Sequence, residues 1–149
     1  MSNTIIVGYD GSGASKAALN VAIDIVRGMP DGEIVIACGH DRRPGWLGYE
    51  PLWKSAMEME KLWDAMETRI AVDLEAAAET VRAAGVKAVA ACSRGNPSSV
   101  VTAVARETGA RMIVVGARGA GKAESLTVLG STTTELLHTA NIPVVVVPA

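Results

Sequence analysis

The stretch whose residues could do chemistry is 112–131, MIVVGARGAGKAESLTVLGS, where an apolar run leads into a glycine-rich segment. The first four residues are apolar and rich in β-branched side chains, which is typical of a strand buried on both faces. Glycines follow at positions 116, 119, 121 and 130, and Ser131 begins a helical pattern. Glycine lets backbone N–H groups approach an anion closely, and a helix N-terminus adds unpaired donors. The stretch therefore predicts a phosphate-binding loop, although glycines that only form turns would give the same pattern.

The elements that would position this stretch are apolar strands that alternate with helices. We predict strands at residues 4–9, 33–38, 86–92, 112–115 and 144–147. This alternation predicts an α/β fold with a parallel sheet covered by helices on both faces. In such sheets, ligands bind beyond the carboxyl ends of the strands. The residues that follow the first four strands, and that could carry chemistry there, are Asp10, Gly39, His40, Asp41, Ser93, Arg94 and Gly116.

The first two predicted helices are defined by apolar residues at helical spacing. Ser12 or Ser15 would cap the first helix. Its inward face would consist of Ala17, Ala18, Val21, Ala22 and Ile25. Residues 53–84 would form a longer helix. A break is allowed at 58–61, because the apolar residues before and after this point do not fall on one continuous face of a helix. Its inward stripe would contain Trp63, Met66, Ile70, Leu74, Ala77 and Val81.

The last two predicted helices have start signals beside the strand ends. Asn96 would cap the third helix, and Pro97 suits its first position, where the missing N–H costs nothing. Ser131 or Thr132 would cap the final helix, and Leu136 and Leu137 would both face the core. Both helix starts therefore fall near the edge of the sheet where a ligand is expected.

Length, charge and cysteine usage limit the class of protein. The chain has 149 residues, and we predict one domain over residues 1–149. The net charge of -2 at pH 7 provides no basic field for nucleic acid or an anionic membrane. No signal-peptide or membrane-spanning pattern is present, so we expect a cytoplasmic protein. Cys38 and Cys92 form no CxxC motif, and we expect buried thiols rather than a disulfide or a zinc site.

Residues 39–52, GHDRRPGWLGYEPL, predict a long loop because they contain three Gly and two Pro and show no periodicity. A loop of this length suggests a function, such as a lid over a ligand with Trp46 or Tyr49 against a base. His40 is the histidine that could act as an acid or base near the site. His138 instead suits a structural role in the last turn of a helix, where positive charge is favourable.

Beyond these patterns, the chain resembles universal stress proteins of the UspA type over nearly its whole length. The resemblance rests on the segments IIVGYDGSGASKAAL, GNPSSVVTAVARETGARMIVVGARG and LGSTTTELLHTANIPVVVVP. It implies a five-stranded parallel sheet in the order 3-2-1-4-5 with helices on both faces, the adenine nucleotide alpha hydrolase-like fold. It also implies a homodimer formed through the C-terminal strand.

The resemblance further implies that the ligand is ATP. The ATP motif of the family is Gly, two residues, Gly, nine residues, Gly and then Ser or Thr, whereas ten residues separate Gly119 from Gly130 here. Asp10 would lie near the ribose and phosphates, or would only close a turn, and backbone near Gly39 would line the adenine pocket. A magnesium ion that bridges Asp10 and the phosphates is compatible with this site, but no acidic cluster demands one. The implied nucleotide-binding residues are Tyr9, Asp10, Gly39, Gly116, Arg118, Gly119, Gly130, Ser131 and Thr132.

Three functions stay open from the sequence. An ATP-binding stress-response or regulatory protein is favoured, with at most slow hydrolysis because we identify no nucleophile paired with a base. The additional loop residue instead allows a nucleotide-free dimeric adaptor with a disabled site. Residues 116–123, GARGAGKA, nearly match the P-loop of ATPases and kinases, but Ala123 replaces the Ser or Thr that would hold magnesium.

Overall fold

The computed structural model describes residues 2–40, 56–118 and 129–148. Its strands are β1 (Thr4–Gly8), β2 (Glu33–His40), β3 (Lys87–Arg94), β4 (Met112–Gly116) and β5 (Val144–Val147). Its helices are α1 (Gly13–Arg27), α2 (Ala56–Ala83), α3 (Pro97–Thr108) and α4 (Ser131–Thr139). Strands and helices alternate along the chain, as the hydrophobic pattern predicts.

The five strands form one parallel sheet in the order β3-β2-β1-β4-β5. This order confirms the predicted fold. The central strand β1 pairs with β2 on one side and with β4 on the other. The chain therefore winds outward from β1 to β3 and then returns to the centre at β4. A crevice forms at the carboxyl ends of β1 and β4, where the winding reverses.

Alternate side chains of the strands enter two separate apolar layers. Ile5 and Val7 of β1 pack in the layer that contains buried side chains of α1 and α2. Ile6, between them, packs in the layer that contains Val101 of α3 and Leu136 of α4. All three side chains of β1 are 0% exposed. Burial on both faces explains why the strand sequences are almost continuously apolar.

Two of the predicted helix caps are confirmed. The Ser12 hydroxyl accepts a hydrogen bond from the Ser15 N–H at 3.2 Å. The Asn96 Oδ1 atom accepts from the Ser98 N–H at 3.0 Å and from the Ser99 N–H at 3.4 Å. Short polar side chains at this position satisfy N–H groups that the first turn leaves unpaired.

The start of α4 differs from its prediction. Gly130, rather than Ser131 or Thr132, is the N-cap residue, and it forms no side-chain hydrogen bond to the helix. Ser131 and Thr132 already lie in the first turn. A buried hydrogen bond instead connects the helix to β4, because the Thr133 hydroxyl donates to the Gly116 carbonyl oxygen at 2.7 Å.

The end of β2 and the continuity of α2 also differ from the prediction. Gly39 and His40 belong to β2, because β3 continues the ladder up to the pair His40–Arg94. Helix α2 is continuous from Ala56 to Ala83, so the break allowed at 58–61 is absent. The predicted stripe on α2 is partly or fully buried, whereas residues 41–55, including the lid candidates Trp46 and Tyr49, lie outside the described residues.

The buried face of α1 is wider than predicted and is centred elsewhere. Ala18 and Ala22 are buried as expected, together with Leu19, Ile23 and Val26. The predicted Ala17, Val21 and Ile25 are only partly buried. Apolar residues occupy more than half of the circumference of α1, so spacing alone cannot select the centre of its inward face. Among the described helices, none combines the length and apolar character needed to cross a membrane.

Leu136 and Leu137 provide a matched test of the orientation of α4. Leu136→Ala should lower the free energy of unfolding by about 2–5 kcal/mol, because it leaves a cavity in the core. The Leu136 side chain is 0% exposed, whereas Leu137 is 50% exposed. Leu137→Ala should therefore change the free energy by less than about 0.5 kcal/mol. Urea denaturation followed by circular dichroism measures both. Equal losses would instead support the prediction, which the structure contradicts, that both leucines face inward.

Candidate functional site

A cavity of ≈ 230 Å³ lies at the carboxyl ends of the strands, within walls formed by the described residues. Residues from the ends of β1, β2 and β4 and from the starts of α3 and α4 line it. Of the nine residues predicted to bind the nucleotide, Gly119 lies outside the described residues. The other eight all line the cavity, namely Tyr9, Asp10, Gly39, Gly116, Arg118, Gly130, Ser131 and Thr132.

The first turn of α4 contributes N–H groups that receive no cap from the side chain of its N-cap residue. Ser12 and Asn96 cap the first turns of α1 and α3, but Gly130 has no side chain that could do the same for α4. The first N–H groups of a helix have no partner within the helix. They also carry the positive end of the helix dipole. Among α1, α3 and α4, α4 is therefore the helix whose start is best suited to an anion.

Two hydrogen bonds hold this helix start against the end of β4. The Thr133 hydroxyl donates to the Gly116 carbonyl oxygen at 2.7 Å, and Thr133 is only 4% exposed. The Gly130 N–H donates to the Ala117 carbonyl oxygen at 2.8 Å. Because the acceptors belong to the last residue of β4 and to the residue after it, the first turn of α4 is held at the cavity wall. Thr133 was not predicted as a site residue, and its position within the Ser131–Thr134 polar run was the available signal.

Gly116 and Gly39 shape the cavity through close packing. A Cβ atom at Gly116 would lie 2.6 Å from the Cβ atom of Ala14 in α1. A Cβ atom at Gly39 would lie 2.7 Å from the Cα atom of Pro97 in α3. Both distances are too short for any side chain, so only glycine lets these helix starts approach the strand ends. Neither glycine forms a turn, because both belong to strands.

Asp10 and Tyr9 follow β1 and form another part of the cavity wall. Asp10 Oδ1 accepts a hydrogen bond from the Ser12 N–H at 2.9 Å, so the carboxylate closes the turn before α1 and also lines the cavity. The Tyr9 N–H donates to the Ala37 carbonyl oxygen at 3.0 Å. Burial raises the pKa of the Tyr9 phenol, and the charges of Asp73 and Asp10 raise it further. The phenol therefore stays protonated at neutral pH and can donate a hydrogen bond.

The positive side chains and histidines are distributed unequally around the site. Arg118 is half-buried and lines the cavity, which adds a positive charge near the start of α4. His40 is not among the lining residues, and its buried Nδ1 atom has no hydrogen-bond partner in the described part of the chain. His138 lies in the last turn of α4, as predicted. Lys122 and most of the P-loop-like run lie outside the described residues.

A metal site has little support from protein ligands alone. Within residues 2–40, 56–118 and 129–148, no group of three or more His, Cys, Asp or Glu side chains could hold a metal ion. Asp10 has one carboxylate oxygen already bonded to a backbone N–H. A divalent cation at this place would therefore need phosphate oxygens of a ligand to complete its coordination.

The pairing of Cys38 with Cys92 was not predicted from the sequence. They are register partners on β2 and β3, and Cys38 also lines the cavity. Cys38 is partly buried and Cys92 is exposed, so the expectation of two buried thiols is wrong for Cys92. The reason is that β3 is an edge strand whose carboxyl end is largely exposed. The available signal was that both cysteines end apolar strand runs, which places them at the same edge of a parallel sheet.

The chain is similar to a known protein family and to solved structures. The model of the universal stress protein family matches residues 1–148. Among curated proteins, no significant match is found. The hypothetical protein MJ0577 superposes with a TM-score of 0.83 at 21% identity, over 100% of this chain and 97% of that one.

Two further similar structures contain nucleotides. A universal stress protein in complex with cAMP has a TM-score of 0.66 and 22% identity, over 97% of this chain and 95% of that one. The universal stress protein family protein At3g01520 from Arabidopsis thaliana, with AMP bound, has a TM-score of 0.66 and 15% identity. The superposition covers 97% of this chain and 90% of that one. At these identities the structures establish the shared fold. Because the family model covers all but the last residue, the chain belongs to the universal stress protein family.

Proposed function

We propose that this universal stress protein binds ATP in the cavity and serves a stress-response or regulatory role without dedicated fast catalysis. The observation that carries the proposal is the uncapped first turn of α4 at the cavity wall. Backbone N–H groups at the positive end of a helix are a recurrent way of binding phosphate. Arg118 would add a cation beside them. The residues proposed to hold the phosphates are Gly116, Gly119, Gly130, Ser131 and Thr132.

The rest of the cavity suits the nucleoside part of the ligand. Ala37, Val101 and Val115 give the wall an apolar portion, which suits the face of a base. Backbone at Gly39 would line this adenine pocket. Tyr9 and Asp10 would lie near the ribose and phosphates, where a protonated phenol can donate and a carboxylate can accept a hydrogen bond. A magnesium ion would depend on the phosphates together with Asp10.

Structures of two relatives support an adenine nucleotide rather than another phosphate ligand. One of them is in complex with cAMP and the other has AMP bound. The triphosphate is our extension for this chain, because both the start of α4 and Arg118 favour additional negative charge. The described residues suggest no dedicated base for hydrolysis, since His40 does not line the cavity.

We also propose that residues 1–149 form one cytoplasmic domain that dimerises through β5. This strand consists of four valines at an edge of the sheet, and three of their side chains are only partly buried. An apolar edge strand with free backbone groups is prone to pair with another strand unless it is covered. A second copy of the same strand would cover it symmetrically.

The central test replaces the residue that leaves α4 uncapped. Gly130→Asp should lower ATP affinity at least about tenfold, because a carboxylate would occupy and repel the phosphate position. The same change should not reduce stability, since Asp is a favourable N-cap residue and Gly130 has φ -61, which any residue can adopt. Calorimetric titration of ATP into nucleotide-stripped protein measures the affinity, and thermal unfolding measures the stability.

Gly130→Ala is the matched control, since it adds a Cβ atom without charge or capping oxygen. It should bind ATP nearly as well as the wild type. Wild-type protein that gives no heat with ATP, and that carries no nucleotide by mass spectrometry when purified, would reject ATP binding. That result would favour the nucleotide-free adaptor.

A second test concerns the positive charge at the cavity. Arg118→Ala should weaken ATP binding several-fold and leave adenosine binding nearly unchanged, because the guanidinium would contact only the phosphates. Arg111→Ala is the control, since the Arg111 side chain bonds to Asn3 at the amino end of the sheet. Competition with a fluorescent adenine nucleotide compares the two variants. Equal effects on ATP and adenosine would contradict a phosphate role for Arg118.

A third test concerns the dimer. The carbonyl oxygens of Pro143 and Val147 accept hydrogen bonds from the Ile113 and Ala117 N–H groups. The intervening Val146 therefore directs its N–H towards the free edge. Val146→Pro should remove an intersubunit hydrogen bond while it keeps the ladder to β4, because proline is tolerated on an edge strand. Light scattering should give twice the 15.4 kDa chain mass for wild type and a smaller mass for the variant. A monomeric wild type would contradict the proposal, and Val146→Ala controls for the lost side chain.

A further inference from the structure

We propose that Cys38 and Cys92 form a redox-active pair, which a low-molecular-weight disulfide such as oxidised glutathione converts reversibly into an intramolecular disulfide. The two residues are direct register partners across the parallel ladder of β2 and β3. Neighbouring strands lie about 4.7–4.9 Å apart. Disulfides join Cα atoms about 4.4–6.8 Å apart, so the register brings the pair within range.

The side chains of the pair also lie on the same face of the sheet. Cys38 packs against the core layer that contains Ile36 and Ile34, which lie two and four positions earlier on β2. Residues that are paired in register have side chains on the same face. The Cys38 thiol donates a weak hydrogen bond to the Gly39 carbonyl oxygen at 3.9 Å, and each thiol shifts the pKa of the other. The register therefore places the two sulfur atoms on the same face of adjacent strands, within the range that a disulfide can join.

The two thiols differ in access, and this assigns their order of reaction. Cys92 is exposed, whereas Cys38 is partly buried. The Cys92 thiolate attacks one sulfur of oxidised glutathione, breaks its S–S bond and releases one glutathione. The Cys38 thiolate then attacks Cys92 Sγ and releases the second glutathione. The pair loses two electrons and two protons, and oxidised glutathione is reduced to two thiols, so the reaction is balanced.

The environment of the thiols makes this reaction slow at neutral pH. Burial raises the pKa of Cys38 to about 12 and also raises the pKa of Cys92. The interaction between the two thiols raises the pKa of Cys38 and lowers that of Cys92, which favours Cys92 as the attacking group. The thiolate is the reactive form. The oxidation rate should therefore increase as pH rises from neutral towards the raised pKa values.

The position of the pair suggests a switch rather than a structural bridge. Cys92 is exposed, and exposed bridges are among the easily reduced kind. Cys38 lines the cavity, and its neighbour Gly39 lies directly against Pro97 of α3. A bond from Cys38 to Cys92 would therefore constrain a residue of the cavity wall. An effect on ATP affinity rests on the proposed function, but formation of the bond does not.

The experiment detects the bond itself. Purified full-length protein is incubated with oxidised glutathione at mildly alkaline pH, quenched with acid, alkylated and digested for mass spectrometry. We expect a linked Cys38–Cys92 peptide in monomeric wild-type protein, which dithiothreitol reverses. Wild type that accumulates only a glutathione adduct, or only a disulfide between two chains, would overturn the proposal.

Two serine variants test the order of attack. Cys38→Ser should retain glutathione on Cys92, because no second thiol can displace it. Cys92→Ser should react more slowly, because the remaining thiol is partly buried. Faster glutathionylation of Cys92→Ser than of Cys38→Ser would contradict the assigned order. Calorimetric titration of ATP into reduced and oxidised wild type is a separate measurement. A linked peptide in protein that binds no ATP would support the pair and contradict only the nucleotide proposal.

Discussion

The candidate site depends on close contact at Gly116, the last residue of β4. On one side, α1 approaches so closely that a Cβ atom would lie 2.6 Å from the Ala14 Cβ atom. On the other side, the Thr133 hydroxyl of α4 bonds to the Gly116 carbonyl oxygen at 2.7 Å. A single residue without a side chain therefore positions helices of both layers. Any larger residue would separate α1 from the sheet and move the first turn of α4.

The start of α4 shows how local stability and binding oppose each other. A capping side chain typically contributes about 1 kcal/mol to a helix, and Ser12 and Asn96 occupy this position in α1 and α3. Gly130 lacks such a side chain. Without a cap from the N-cap residue, the helix start is less stable alone and more suitable for an anionic ligand. The hydrogen bond from Thr133 keeps this helix start in place without capping it.

The two edge strands of the sheet differ in polarity, and a different function is proposed for each. β5 is short and consists of valine, so it is suited to pairing with another copy. β3 is longer, begins with Lys87 and ends with Arg94, and charged side chains of this kind discourage pairing at an edge. The Arg94 guanidinium also bonds to Glu67 of α2 at 2.7 Å. Cys92, two residues earlier, therefore lies beside a fixed ion pair at the open edge.

The sequence by itself determined the alternation of strands and helices and the cap at Asn96, because periodicity and capping act within a single element or turn. It also predicted that the candidate site residues share one edge of the sheet, and the described ones line one cavity there, since the carboxyl ends of parallel strands lie at the same edge. The strand order came from the family resemblance. Only the tertiary structure decided that Leu136 is buried while Leu137 is exposed, and that Cys38 is paired in register with Cys92. Which side of a helix faces the core, and which residues of two strands are paired, depend on neighbouring elements that are distant in the chain. No local pattern therefore encodes them.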